Sequence, residues 1–243
     1  MVLVHGTMDR ATSFAKAIRR LDGTQVLASD RAGYGTRAGE RPPDPRVLGD
    51  AADLLARLDD QGPPAVAVGH SYGGHVALAA AIERPDLVRA VALYETPLAW
   101  MGWWPPDTAG GRAVRRVDVE GGTPADAAET FMRSIVGDEV WERLPAATQR
   151  ARRAEGPALL ADLRDIQRPG DPPYDPTSVT VPVVLARGRE STGQHRLGLD
   201  EWRRLFPAAP VVLLDGAGHG GHASHPDGFA DLVRTTMALA TGP

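Results

Sequence analysis

The 243-residue chain has no cysteine, which excludes disulfides, a thiolate nucleophile and thiolate metal ligation. Lysine is almost missing: of 27 Lys and Arg residues only Lys16 is a lysine. The accompanying excess of Arg, Ala, Pro and Gly reads as a GC-rich coding sequence rather than an arginine-specific function. No strong excess of one charge exists either. The formal net charge is -4, so neither a nucleic acid nor an anionic membrane is an expected partner. No apolar run approaches the roughly 20 residues that span a bilayer. Met1-Val2-Leu3-Val4 is too short, and has no basic stretch before it, to be a signal peptide. The cytoplasm is the expected compartment.

What the chain does contain is an alternation of short apolar runs and helical patterns. At 42% hydrophobic residues it can bury a full core, and α/β folds of this length are routinely one domain. Residues 2–5, 25–29, 66–68 and 88–94 read as buried strands. Residues 11–21 and 47–60 carry apolar positions at helical spacing, Phe14, Ile18 and Leu21 in the first and Leu48, Ala51, Ala52, Leu55 and Leu58 in the second. The pattern implies a parallel sheet covered on both faces. It breaks after Pro97. Residues 98–178 hold no convincing strand, open on Trp100, Met101, Trp103 and Trp104, and continue as helical stretches at 124–136, 139–144, 145–155 and 157–166. The expected division is therefore a core of 1–97 and 179–243 with a helical cap insertion at 98–178. Strands at 181–186 and 210–214, a helix near 199–206 and a closing helix at 225–240 complete the core.

The stretch Val66-Ala67-Val68-Gly69-His70-Ser71-Tyr72-Gly73-Gly74 joins a strand to an Ala-rich helix through G-x-S-x-G. Small residues two positions either side of Ser71 permit a very tight turn. Its hydroxyl would project from the end of the sheet at a helix N-terminus, whose dipole favours developing negative charge. Serine needs a base at neutral pH. His219, in the glycine-rich loop after the last strand, is the candidate, with His222 and His225 as nearby competitors. A metal site of His219, His222 and His225 is disfavoured, because no carboxylate accompanies them at a recognised spacing.

These pieces together resemble the α/β-hydrolase superfamily. The matching segments are His5-Gly6, Asp30-Arg31-Ala32-Gly33-Tyr34-Gly35, Gly69-His70-Ser71-Tyr72-Gly73 and Gly216-Ala217-Gly218-His219, in the family's order across nearly the whole chain outside the cap. The resemblance implies Ser71 as nucleophile, His219 as general base, and the backbone amides of Tyr72 and Thr7 as oxyanion donors, with Met8 the fallback. It implies structural roles for His5, Asp30 and Arg31. Many relatives place the acid three residues after the glycine of the late strand, which here is Ser191. Glu95, directly after the strand that follows the nucleophile helix, is therefore the expected acid, with Glu190 the alternative. The family usually has two strands before the His-Gly strand. Their absence here leaves either an exposed sheet edge or an edge covered by another copy, a homo-oligomer.

The expected function is a serine hydrolase that cleaves a small to medium carboxylic ester through Ser71, His219 and Glu95, without cofactor or metal. Trp100, Trp103 and Trp104 are expected either to line a substrate pocket or to form the cap core. The same triad would serve a thioesterase, lactonase or acyltransferase. A non-hydrolytic ligand-binding protein or biosynthetic cyclase on this scaffold is the alternative of a different class.

Overall fold

Strands that are apolar on both faces need cover on both faces, and the valine-rich runs find it in a parallel sheet. The computed structural model describes residues 1–60 and 64–241. Its strands are β1 (Val2–Val4), β2 (Leu27–Ala28), β3 (Ala65–His70), β4 (Val88–Tyr94), β5 (Val183–Gly188) and β6 (Val211–Leu214). They lie in the order β2-β1-β3-β4-β5-β6, every neighbouring pair parallel. Helices α1 (Ala15–Ile18), α2 (Arg46–Asp59) and α3 (Tyr72–Glu83) belong to the first half, and α9 (Gly193–Leu205), α10 (Gly221–Ser224) and α11 (Pro226–Ala240) to the second. The period of two is visible in the packing. Ala67, Val91 and Leu93 face a core shared with Leu55 and Val76 of α2 and α3. Val68, Ala92 and Tyr94 face the opposite core with Phe14, Phe229 and Leu232.

This is an α/β-hydrolase-type arrangement, a parallel sheet with helices on both faces. The chain runs from β1 outward to β2 and then returns to the other side of β1 as β3. Such a switch point opens a crevice at the carboxyl ends of the strands, where ligands bind in open α/β sheets. Residues Thr7 and Ser71 follow the two strands that flank it.

Between β4 and β5 the structure has only helices among the described residues: α4 (Ala109–Asp118), α5 (Pro124–Val136), α6 (Asp138–Arg143), α7 (Ala146–Ala154) and α8 (Gly156–Ile166). They share an apolar cluster of their own that includes Ala113, Phe131, Met132, Trp141 and Leu163, and into which Met8 and Tyr34 reach. Helix α4 was not expected. Its apolar positions, Ala109, Ala113, Val114 and Val117, are small and lie among glycines and arginines, and Thr108 caps it by accepting the Gly111 amide at 3.1 Å. A side chain at Gly110 would meet Leu163 Cδ2 at 2.8 Å, so the glycine lets α4 settle against α8.

Three other elements differ from expectation. The helix expected at 11–21 is a 3-10 turn at Ala11–Phe14 followed by the four-residue α1, ended by a turn in which the Thr24 amide donates to the Leu21 carbonyl. The strand expected at 25–29 pairs with β1 only through Leu27 and Ala28, opposite Val2 and Leu3. Helix α9 begins at Gly193 rather than near 199, its first turn being too polar to show a hydrophobic period. No helix among the described residues is long and apolar enough to cross a membrane.

A buried ionic knot joins the helical segment to the sheet. Arg31, after β2, donates to Asp162 of α8 at 2.6 Å and to Asp50 of α2 at 2.6 Å. Arg46 donates to Asp162 at 2.7 Å, as do Tyr34 Oη at 2.7 Å and Thr7 Oγ1 at 2.9 Å. Asp162 is fully buried. Burial would push its pKa up, but the Arg31 and Arg46 guanidiniums hold it well below the usual carboxylate range. Removing one member of such a set leaves a charge buried without compensation. Asp162→Asn is expected to lower the unfolding free energy by about 3 kcal/mol in urea titrations. A loss smaller than about 1 kcal/mol, the worth of a surface ion pair, would show that the knot does not hold the fold.

Candidate active site

β3 ends at His70 and α3 begins at Tyr72, so the chain reverses at Ser71 alone, with φ 53° and ψ -126°. The non-glycine residues with positive φ among those described are Met8, Ser71 and Glu95, which follow β1, β3 and β4 at the same end of the sheet. Strain of this kind, of order 1–3 kcal/mol each, persists where surrounding contacts over-determine it. The contacts are present. A Cβ on Gly69 would lie 2.3 Å from the Gly73 carbonyl oxygen, and one on Gly73 would lie 2.2 Å from that of Val4. The Ser71 amide donates to the Tyr94 carbonyl at 2.9 Å, which ties the turn to β4.

His219 sits in the loop after β6. Its Nδ1 donates to Glu95 Oε2 at 2.8 Å. The loop is pinned from below, since Tyr94 Oη donates to the Gly218 carbonyl at 2.7 Å and His70 Nε2 to the His219 carbonyl at 2.9 Å. Glu95 is 4% exposed. Its Oε1 accepts the Gly188 amide at 2.9 Å and the Ser191 hydroxyl. Burial raises the pKa of this carboxyl. The hydrogen bond and charge of His219, the His195 charge and the Ser191 hydrogen bond outweigh burial and bring it to about 2. Glu190, by contrast, is an exposed residue.

A cavity of about 310 Å³ opens over these groups, lined by Thr7, Ser71, Tyr72, His219 and His195 at one end. Pro97, Ala99, Trp104, Phe131, Ile135, Leu163 and Ile166 supply its apolar wall. No hydrogen bond joins Ser71 Oγ to His219 among the described residues, but both side chains face this cavity. The Tyr72 amide opens α3 and so has no intrahelical acceptor. The Thr7 amide likewise has no acceptor among the described residues. The side chain of Met8 packs among the helices and its carbonyl accepts from Arg152 at 2.8 Å, while its amide, like that of Thr7, has no acceptor among the described residues.

Of the three tryptophans expected around a pocket, only Trp104 lines the cavity. Trp100 is buried against His75, with ring centroids 5.2 Å apart. Trp103 packs on Trp104 at 5.7 Å. The Trp-x-x-Trp-Trp spacing spreads these rings over different directions, since the chain turns twice between residues 98 and 104.

Two groups were not anticipated. Ser191, recognised as standing where many relatives carry an acid, donates to Glu95 instead of replacing it. His195, in the first turn of α9, stacks on His219 with centroids 4.5 Å apart and planes at 17°. No motif surrounds His195, so nothing in the sequence marks it. A second group, Asp9, His70 and His222, lies beneath: His222 Nε2 donates to Asp9 Oδ2 at 3.0 Å, and the His70 and His222 rings stack at 3.9 Å. Burial, then the charge of His222, carries the His70 pKa down to about 3 against the pull of Asp9. Asp9–His70–His222 and Glu95–His195–His219 each bring three potential ligand atoms within 4.8 Å. Their imidazoles lie at 30° and 17° to one another. Nearly parallel rings aim their lone pairs side by side rather than toward one tetrahedral centre, so these sets suit stacking better than metal ligation.

Comparisons with known proteins bear on the family and the fold. A model of the alpha/beta hydrolase family matches residues 1–232. The chain is 27% identical over 251 aligned positions to the sn-1-specific diacylglycerol lipase ABHD11 of Mus musculus, covering 98% of this chain and 80% of that one. It is 29% identical over 240 positions to 2-(acetamidomethylene)succinate hydrolase of Mesorhizobium japonicum, covering 90% and 81%. Among solved structures, the enol-lactonase from Burkholderia xenovorans LB400 superposes with a TM-score of 0.71 at 21% identity, over 98% of this chain and 90% of that one, a likeness of fold.

The Glu95 carboxyl generates a pH test. A folded pKa of about 2 against an ordinary 4.5 means that its ionised form stabilises the fold above pH 4.5, and that this contribution is lost as pH falls toward the folded value. Glu95→Gln is therefore expected to unfold at lower urea concentration than the parent at neutral pH, with the gap narrowing as pH falls from 4.5 to about 2. A gap that stays constant across that window would show that the charge of Glu95 contributes nothing.

Proposed function

Because the chain belongs to the alpha/beta hydrolase family, we propose that it is a serine hydrolase cleaving small to medium carboxylic esters. In this reading Ser71 is the nucleophile, His219 the general base and Glu95 the acid, and the Thr7 and Tyr72 amides form the oxyanion hole. The observation that carries it is the buried Glu95–His219 hydrogen bond beside a cavity that also exposes Ser71 at the tip of a strained turn.

The steps follow from the groups present. Substrate binding brings the ester carbonyl over Ser71 and closes the Ser71–His219 contact, which in unliganded enzymes is often long. His219 Nε2 takes the Ser71 proton as Oγ bonds to the carbonyl carbon. The oxyanion is met by backbone amides fixed before the charge appears, so little reorganisation is needed. Glu95, already ionised and desolvated, stabilises the imidazolium. Collapse breaks the bond to the alcohol, which leaves with the proton from His219. Water then repeats the sequence on the acyl-enzyme, releasing the acid and restoring Ser71.

The helices of 98–178 act in this reading as a cap over the carboxyl ends of the strands, since Trp104, Phe131, Ile135, Leu163 and Ile166 come from that segment. The name of one relative, a diacylglycerol lipase, supports an ester-type substrate. A cavity of about 310 Å³ lies at the small end of ligand pockets, which run from about 300 to 1,000 Å³. Short to medium acyl groups fit it better than long ones.

A fluorophosphonate probe followed by peptide mass spectrometry is expected to label Ser71; an unlabelled Ser71 sinks the hydrolase reading. With p-nitrophenyl esters, Ser71→Ala should lose about four orders of magnitude or more in kcat, Glu95→Gln about two to four, and Glu190→Gln less than about twofold. The reverse ranking of the two glutamates would move the acid to Glu190.

A further inference from the structure

His219 is held by a single side-chain hydrogen bond, from Nδ1 to Glu95. One such bond fixes a point on the imidazole and leaves the ring free to swing about the N···O line. For a base whose other nitrogen must meet Ser71, that swing matters, because an error of about 1 Å can cost about a hundredfold in rate.

Two neighbouring rings restrict that swing. His195 lies stacked 4.5 Å away with its plane within 17°. His70 lies 4.8 Å away, tilted at 49°, with His222 against His70 at 3.9 Å. Four of the seven histidines thus form one column, His195–His219–His70–His222, closed by Glu95 near one end and Asp9 near the other. His195 is itself packed by the Trp104 ring, at 80° to it with centroids 5.8 Å apart. His195 is about nine-tenths buried and its Nδ1 has no hydrogen-bond partner, lying 3.7 Å from Glu95 Oε2. A buried imidazole that makes no hydrogen bond through that nitrogen contributes through its face. Burial, then the charge of His219, keeps it neutral with a pKa of about 3, against the pull of Glu95. It can therefore flank an imidazolium without adding a second charge.

We propose that His195 is a positioning residue for ester hydrolysis: its ring stacks on His219 and fixes the plane in which His219 presents Nε2 to Ser71. This rests on the hydrolase reading above. It assigns no proton transfer to His195, whose part is to limit where its neighbour points.

The test uses the full chain, p-nitrophenyl butyrate and three variants. His195→Ala removes the stacking face. His195→Phe restores a flat ring without nitrogen. His225→Ala alters a histidine outside the column, whose side chain is hydrogen-bonded, among the described residues, to its neighbour Ser224 alone, and serves as a control. His195→Ala is expected to lower kcat by about 10- to 100-fold with KM within about threefold, and His195→Phe to recover kcat to within about threefold of the parent. His225→Ala should match the parent. The proposal is overturned by a His195→Ala enzyme with unchanged kcat or by an effect confined to KM, which would make His195 a substrate contact. It is equally overturned by a His195→Phe enzyme that folds, by urea titration, yet is as slow as the alanine variant, since the nitrogen would then be what matters. Failure of the hydrolase reading looks different: the parent itself would neither turn over the ester nor take the fluorophosphonate at Ser71.

Discussion

A carboxylate that is 4% exposed has to be satisfied by its surroundings, and the carboxylate of Glu95 draws three strand ends together to achieve it. The cost of burying a lone ion is several kcal/mol even after relaxation. Glu95 leaves β4, its Oε1 is met by Gly188 at the end of β5 and Ser191 beyond it, and its Oε2 by His219 after β6. The sheet register makes this possible. Tyr94 is paired with Ala186 and the Glu95 amide donates to the Ala186 carbonyl at 3.0 Å, which sets the carboxylate beside the Gly188 amide. A shift of one residue would turn every side chain of the strand to the other face and strand the charge. The same requirement explains why a residue with φ of 50° is retained there: the strain is small beside an unpaired buried carboxylate.

The other half of the cavity depends on a second buried charge. Arg31 donates to the carbonyls of His5 and Gly6, each at 3.3 Å, directly before Thr7. Its guanidinium also stacks on Tyr72, 4.5 Å from the ring centroid. One side chain therefore touches the segments that carry both proposed oxyanion amides, and through Asp162 it anchors them to α8. Replacing buried ionic sets by apolar residues is often neutral or stabilising, so the value of this one lies in geometry. A guanidinium with five hydrogen bonds to four different groups permits few alternative packings of the helical segment on the sheet.

How much of this was legible in the sequence follows from where the information resides. The elbow shows because its constraint is local: Gly69 and Gly73 must be small for the chain to reverse at Ser71, and the strand and helix on either side carry their own periods. β4 and α5 match expectation for the same reason. Helix α4 does not show, because its apolar positions, Ala109, Ala113, Val114 and Val117, are small and interrupted by glycines and arginines, and it is held by contact with α5 and α8 and by a Thr108 cap. Trp100, Trp103 and Trp104 cluster in sequence but diverge in space, since loops follow no side-chain period. His195 is the extreme case. Its significance is wholly tertiary, created when α9 starts a turn and a half earlier than its apolar residues suggest.

The pairing of Glu95 with Ser191 gives a physical account of how the acid can stand on either strand. The Nδ1–H of a histidine after β6 needs one acceptor, and the ends of β4 and β5 both lie within reach because the two strands are neighbours. A carboxylate from both would place two like charges in one dry site, which forces one to stay protonated. A carboxylate from one and a hydroxyl from the other gives a donor and an acceptor that satisfy each other. The longer side chain of glutamate suits the β4 position, since from there the carboxylate spans from the β5 end to the histidine. In this chain the serine at the β5 position does not merely lack the charge; it supplies the hydrogen bond that helps the β4 carboxylate stay ionised, and the two positions have to be read as one unit.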